Sequence, residues 1–126
     1  MQSSEAKPMK GNCYKSSGEY LMDEWLKGEH EQYTLVHGIP TLTVEPFTRY
    51  GHSWIEFTAV VGVIAGRQLK TVMCLDTETN NVVPRDLFYK VGRIKPEECF
   101  RYKFSEMRER INETGHWGPW EGPEVC

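Results

Sequence analysis

The chain has 126 residues, of which 39% are hydrophobic, 26% charged and 12% aromatic. This composition excludes a disordered or collagen-like chain and is typical of one compact domain. The formal net charge is −3, from 15 Lys and Arg against 18 Asp and Glu. With this balance and no basic run longer than two residues, we expect neither a nucleic-acid partner nor a membrane partner.

The first ten residues lack the apolar centre of a secretory signal. We interpret residues 1–10 as a mobile tail, and residues 11–126 as a single domain in the cytoplasm. The four cysteines, Cys13, Cys74, Cys99 and Cys126, form no C-x-x-C pair. They therefore predict neither a zinc site nor a disulfide framework, and we expect most of them to be reduced thiols, with no cofactor or metal.

A first helix is predicted from Cys13, where apolar residues repeat at spacings of three and four until Gly28 ends the pattern. Gly18 costs such a helix about 1 kcal/mol relative to Ala. That cost is acceptable where a neighbouring strand must approach closely. We therefore expect this helix to pack on a sheet.

Strands are predicted at residues 33–39, with residues 41–44 as an extension after Pro40. Residues 52–64 and 69–75 alternate apolar and polar side chains and form a hairpin around the turn at 65–68. Strands joined by short turns are antiparallel. The sequence thus predicts an α+β fold with the N-terminal helix packed on an antiparallel sheet.

The C-terminal third adds a short helix at residues 84–91 and a last strand at residues 99–104. Ser105 is predicted to cap a final helix that runs to Thr114. Residues 115–120 then carry two of the four tryptophans without any periodic pattern. We expect this tail to fold back over an apolar groove; the alternative is that His116 or Trp117 lines the mouth of a site.

Cys13 is the candidate nucleophile because it follows Gly11 and Asn12 directly and begins the predicted helix. A thiol in the first helical turn meets the positive end of the helix dipole and unpaired backbone N–H groups. These groups stabilise a thiolate and, later, an oxyanion. The alternative is an ordinary buried cysteine that packs on the sheet.

His52 is the candidate general base, since it enters the longest strand directly after Gly51 with its imidazole at the rim of the sheet. The alternative is a solvated loop histidine, and His30, His37 and His116 are weaker candidates for the base. Asp76 ends the apolar strand at 72–75 and is the candidate orienting acid. An Asp that only caps the following turn is the alternative for Asp76.

The hairpin brings the His52 and Asp76 ends to one rim, as a Cys–His–Asp triad requires. Direct pairing of these two residues needs a turn centred at Ile64, whereas composition centres it between Gly66 and Arg67, which would place Asn81 opposite His52. Either a bulge, for which Gly62 is suited, absorbs the mismatch, or Asn80 or Asn81 is the third member of the triad.

Three short motifs support this interpretation: N-C-Y at residues 12–14, G-H-S-W-I-E at 51–56 and G-H-W-G-P-W at 115–120. The second resembles the G-H-A-W-[VI]-E segment of transglutaminase-like members of the papain-like and transglutaminase-like cysteine-enzyme superfamily. Over nearly the whole chain, the three together resemble small bacteriophage proteins. The resemblance implies a papain-like fold with Cys13 as nucleophile, His52 as base and Asp76 as orienting acid.

The resemblance also implies a thiol-dependent peptidase or amidase that works through an acyl-enzyme. The backbone N–H of Cys13 would supply one oxyanion donor, and the sequence identifies no second donor. A transglutaminase-like acyl transferase is the first alternative, and a non-catalytic phage protein that blocks a host factor is the second. The expected partner is a protein, peptide or amide substrate, such as a host protein, and the expected oligomeric state is a monomer.

Overall fold

The computed structural model describes residues 12–121, except for the side chain of Asn12. The predicted tail at residues 1–10 lies outside this range, as does Cys126. Within it, the secondary structure begins with helix α1 (Asn12–Leu26) and strands β1 (Tyr33–Gly38), β2 (His52–Ile64), β3 (Arg67–Asp76) and β4 (Asn81–Pro84). Helix α2 (Arg85–Gly92), strand β5 (Phe100–Tyr102) and helix α3 (Phe104–Thr114) follow. No helix in this range is long and apolar enough to cross a bilayer.

The five strands form one sheet in the order β4-β3-β2-β1-β5, and every neighbouring pair is antiparallel. The predicted α+β class, with an N-terminal helix on an antiparallel sheet, is confirmed. The alternation along β2 determines which side chains meet which helices, because successive residues of a strand point to opposite faces.

Each face of the sheet carries its own core. On the face covered by α1 and α3, the buried cluster is Leu21, Leu35, Ile55, Leu75, Tyr102, Phe104 and Met107. On the face covered by α2, it is Val36, Trp54, Cys74, Tyr89 and Ile94. The sheet is therefore the middle layer between helices, and its rims are where residues from the two faces meet.

Two local predictions are wrong, and one strand has no counterpart in the sequence prediction. Residues 81–84 form the edge strand β4, and Pro84 both ends this strand and precedes α2 as its N-cap residue; an edge strand tolerates proline. Residues 41–44 form only an isolated bridge between Thr41 and Arg49. Ser105 lies inside α3, and the helix start is instead held by the Glu106 carboxylate, which accepts a hydrogen bond from the Lys103 backbone N–H.

The segment at residues 115–120 folds back onto the α1 side of the sheet. A Cβ on Gly18 would lie 2.4 Å from the ring of Trp117, so the close approach at this glycine is made by the tail and not by a strand. Trp120 packs on the rings of His37 and Tyr102, at centroid distances of 5.1 and 5.0 Å. This segment therefore covers the core, in agreement with the structural expectation.

Candidate active site

His52 and Asp76 contact each other where β2 begins and β3 ends. The His52 Nε2 atom lies 3.3 Å from Asp76 Oδ2. Both side chains are largely buried, with 11% and 19% of their surfaces exposed. Of the candidates for a partner of His52 that the sequence leaves open, the residue in contact is Asp76 and not Asn80 or Asn81.

The strand register explains how these residues meet despite the mismatch in the sequence. The hairpin turn lies at Ala65 and Gly66, both with positive φ, and a bulge between Val60 and Gly62 shifts the register by one residue. Since Ile55 pairs with Leu75, Asp76 falls across from Trp54. His52 lies two residues further along on the same face, which is the diagonal distance that a long side chain spans. The position of the turn, the bulge and the diagonal contact together explain how His52 meets Asp76 although the turn is not centred at Ile64.

The Asp76 carboxylate is fixed from two sides. Its Oδ1 accepts a hydrogen bond from the Glu78 backbone N–H at 3.0 Å, while Oδ2 faces His52. Burial acts to raise the pKa of Asp76, but the hydrogen bond and charge of His52 and the backbone N–H groups of Glu78 and Thr79 hold that pKa below its ordinary value. Asp76 is therefore an anion near neutral pH, as an orienting acid has to be.

Helix α1 is attached to this rim through two serines and a threonine. Ser16 Oγ donates to Thr77 Oγ1 at 2.8 Å, and Ser17 Oγ lies 3.0 Å from the same atom. Cys13 shares the helix face of Ser16 and Ser17, because residues three and four apart on a helix are neighbours. The face that carries Cys13 is thus directed at the residue that follows Asp76. Thr77 is absent from the predicted site, since a single threonine after a strand has no distinctive sequence pattern.

The three predicted site residues do not lie on one face of the sheet. His52 shares the α2 face with Trp54, whose ring centroid lies 6.0 Å from that of His52, whereas α1 covers the opposite face. The helix that carries Cys13 therefore lies across the sheet from His52, and it reaches the rim where β2 begins and β3 ends through Ser16 and Ser17. The hydrogen bonds to Thr77 hold the first turns of α1 at this rim.

Cys13 is fully buried and takes part in a disulfide bond. Cys13 is therefore an exception to the expectation that most of the cysteines are reduced, while Cys74 and Cys99 are free thiols. Burial and the nearby Glu56 carboxylate raise the pKa of the Cys74 thiol, which makes Cys74 a poor nucleophile. A disulfide sulfur cannot act as a nucleophile until the bond is reduced.

A cleft of about 380 Å³ lies against the His52–Asp76 pair, and Tyr50 joins these two residues in its wall. The other lining residues are mainly apolar and come from the segment after β1, from β4, from α2 and from the turn that follows it: Pro40, Leu42, Val83, Leu87, Phe88, Val91 and Ile94. Among the described residues that line it, Asp76 is the sole carboxylate. The cleft therefore suits an uncharged, apolar group.

Glu56 joins β2 to α2 and β5. Its buried carboxylate accepts hydrogen bonds from Trp54 Nε1 at 3.0 Å, from Arg101 at 2.6 Å and from the Tyr89 hydroxyl, and Arg85 lies 3.6 Å away. Burial acts to raise the pKa of Glu56, but these donors hold it below its ordinary value. In the G-H-S-W-I-E motif, Trp54 and Glu56 thus hold α2, one wall of the cleft, against the sheet.

His116 and Trp117 are not among the described residues that line the cleft. His116 accepts a hydrogen bond from the Gly118 N–H through Nδ1 at 3.1 Å, and its carbonyl accepts another from Trp120 Nε1 at 3.1 Å. Both contacts stay within the tail. They give the tail its shape and leave the wall of the cleft to other residues.

Comparison with known proteins gives no relative for this chain. No family model matches it, and no curated protein or solved structure is significantly similar to it. The likeness to papain-like and transglutaminase-like enzymes therefore depends on the three short motifs and on the contact between His52 and Asp76.

Proposed function

We propose that this protein is a thiol-dependent hydrolase of papain-like or transglutaminase-like type that cleaves amide bonds in a peptide or protein. The observation that carries the proposal is the 3.3 Å contact between His52 Nε2 and Asp76 Oδ2 in the wall of an apolar cleft. A carboxylate on one ring nitrogen fixes the imidazole and stabilises its protonated form. The other ring nitrogen, Nδ1, is then the atom that accepts a proton.

The proposed reaction has two halves. His52 Nδ1 takes the proton of the Cys13 thiol, and the thiolate attacks the substrate carbonyl carbon to form a C–S bond. The C–N bond then breaks, and the imidazolium gives its proton to the leaving amine. Water, deprotonated by His52, attacks the thioester, which releases the acid and restores the Cys13 thiol.

Before the first turnover, the disulfide at Cys13 has to be reduced. A dithiol reductant attacks the disulfide through a mixed disulfide, becomes oxidised to its own disulfide, and leaves two protein thiols. The cytoplasm supplies such a dithiol in thioredoxin. The hydrolase is therefore proposed to be latent when oxidised and active in a reducing compartment.

The lining of the cleft favours an apolar substrate residue next to the scissile amide. Leu87, Phe88 and Ile94 present apolar surface close to His52, and the sole carboxylate among the described lining residues is engaged by His52. An aliphatic or aromatic group next to the scissile amide would bury its surface there, whereas a charged group would lose its hydration without gaining a partner. We propose an apolar residue at this position of the substrate.

Thiol reactivity tests the proposal directly. The protein is reduced with dithiothreitol, freed of reductant and treated briefly with iodoacetamide at pH 6, and the modified cysteines are mapped by mass spectrometry. Cys13 should react before Cys74 and Cys99, and His52→Ala should slow its reaction at least about tenfold. The matched control, His116→Ala, changes an exposed histidine and should leave the rate unchanged.

Equal labelling of Cys13, Cys74 and Cys99, or the same rate in His52→Ala, would contradict the hydrolase proposal. A second readout is hydrolysis of peptidyl aminomethylcoumarin amides that carry Leu, Phe, Asp or Lys before the scissile bond. Leu and Phe should be preferred, and turnover should require reduction.

The disulfide at Cys13 favours one other function, a non-catalytic binding protein. In that case the disulfide is structural, and reduction should lower the melting temperature by several degrees because the unfolded chain loses a constraint. If the protein is a hydrolase, reduction should instead allow iodoacetamide to label Cys13 and allow the amide substrates to be cleaved. If the reduced protein has a lower melting temperature, does not react at Cys13 and cleaves none of the amides, the protein functions in binding and not in catalysis.

A further inference from the structure

The β2–β3 hairpin extends beyond the body of the protein. β1 pairs with β2 only from His52 to Phe57, and β4 pairs with β3 only from Met73 to Asp76. Within the described range, residues 58–72 therefore form a two-stranded ribbon whose outer edges have no strand beside them. We call residues 58–72 the β-arm. Its β2 strand is seven residues long, about 23 Å at ~3.3 Å per residue.

The β-arm exposes apolar side chains on both of its faces. Val60 pairs with Lys70 and Val63 with Gln68; because Lys70 and Gln68 are two residues apart, these four side chains share a face. By the same argument, Ile64 and Leu69 lie on the other face. Val60, Val61, Val63, Ile64 and Leu69 are between 42% and 63% exposed. An isolated two-stranded ribbon is only marginally stable, so this surface is suited to cover by another molecule.

The two outer edges of the β-arm differ in charge. The β2 edge, residues 58–64, reads T-A-V-V-G-V-I and contains no charge and no proline. The β3 edge carries Arg67 and Lys70, the kind of residue that protects an edge strand from pairing. Only the β2 edge is therefore open to a further strand.

We propose that two copies of this chain pair antiparallel along the β2 edges of their β-arms. Antiparallel pairing of a segment with its own copy is two-fold symmetric, so each N–H of one copy that donates to a C=O of the other has a symmetry-related hydrogen bond; the bulge between Val60 and Gly62 interrupts this ladder once. No charge opposes the contact, since the edge is neutral in both copies. Pairing continues each apolar face across the symmetry axis into a four-stranded sheet, and the cationic β3 edges stop further growth at a dimer.

This dimer differs from the monomer that the sequence suggests, because composition does not reveal which strand edges remain unpaired. The interface is small, and the expected association is reversible over a micromolar concentration range. The β-arm also lies away from the cleft, whose described lining includes none of residues 58–72. The dimer is therefore independent of the proposed hydrolase.

Sedimentation velocity of the full chain over a concentration series tests the proposal, in dithiothreitol so that intermolecular disulfides do not contribute. The wild type should shift from monomer to dimer. Val61→Lys, which places a charge at the centre of the β2 edge, should remain monomeric. The matched control, Leu69→Lys, introduces the same charge on β3 and should still form dimers.

Symmetric cross-linking provides the second test, and it stays informative if Val61→Lys fails to fold. Val61→Cys should form a disulfide-linked dimer under mild oxidation, and Leu69→Cys should not. Four results overturn the proposal: a monomeric wild type at every concentration, dimers of Val61→Lys, loss of dimers in Leu69→Lys, and equal cross-linking of both cysteine variants. A monomeric wild type that sediments with phosphatidylserine vesicles would assign the β-arm to a membrane surface instead.

Discussion

The Ser16 hydroxyl donates a hydrogen bond to Thr77 Oγ1 at 2.8 Å, which joins the first turns of α1 to the residue that follows Asp76. The same threonine oxygen lies 3.0 Å from Ser17 Oγ. One side chain thus connects the helix of the proposed nucleophile to the strand of the proposed orienting acid. The position of α1 relative to His52 depends on this connection.

Thr77→Val should therefore slow the labelling of Cys13 and also lower the free energy of unfolding by a small amount. Valine keeps the volume but removes the hydroxyl that accepts from α1, which should cost about 1–2 kcal/mol of unfolding free energy. In the reduced protein, the rate of iodoacetamide labelling at Cys13 should fall several-fold. Thr58→Val, at an exposed threonine of β2 outside the described lining of the cleft, serves as the control and should leave the labelling rate unchanged.

Asp76 should make stability depend on acid pH. Its folded pKa lies below the unfolded value, so its contribution is present above the unfolded pKa and is lost as the pH falls through the folded pKa. At pH 7, Asp76→Asn should be less stable than the wild type by on the order of 1 kcal/mol. Urea unfolding from pH 7 down to pH 2.5 should show this difference shrinking below about pH 4. A constant difference would mean that the Asp76 charge adds nothing.

Glu56 should be one of the most sensitive positions for stability. Glu56→Ala leaves the Trp54 N–H, the Tyr89 hydroxyl and Arg101 without their buried acceptor, which should cost about 2–3 kcal/mol. Glu78→Ala changes an exposed carboxylate and should shift the free energy of unfolding by no more than about 0.5 kcal/mol. Urea denaturation at pH 7 compares the two variants, and equal effects would contradict the structural role of Glu56.

Gly18→Ala should have opposite effects in two backgrounds. In the wild type, the added methyl group meets the Trp117 ring, and stability should fall although alanine is the better helix former. In Trp117→Ala, the same change should stabilise the protein by up to about 1 kcal/mol, because helix propensity then acts alone. A double-mutant cycle measures the coupling. Absence of coupling would mean that the tail does not pack on α1 in solution.

The sequence by itself determines the local helices and strands and the alternation of side chains, with a period of two residues, along the long strands. The alternation at residues 52–64 predicts β2 with the bounds that the structure has, and the same periodicity directs Ile55 to one core and Trp54 to the other. These features are predictable because neighbours in the chain determine them. Cys13, His52 and Asp76 are likewise predicted from local patterns, namely a helix start and two strand ends.

Only the tertiary structure decides the features that depend on contacts between distant residues. The contact of His52 with Asp76 rather than Asn81 depends on a bulge and a diagonal contact, and a shift of one residue in register changes every neighbour. The walls of the cleft come from segments far apart in the chain, as do the hydrogen bonds at Glu56 and the approach of Trp117 to Gly18. Periodicity assigns a residue to a face, but long-range packing decides which residue it meets there.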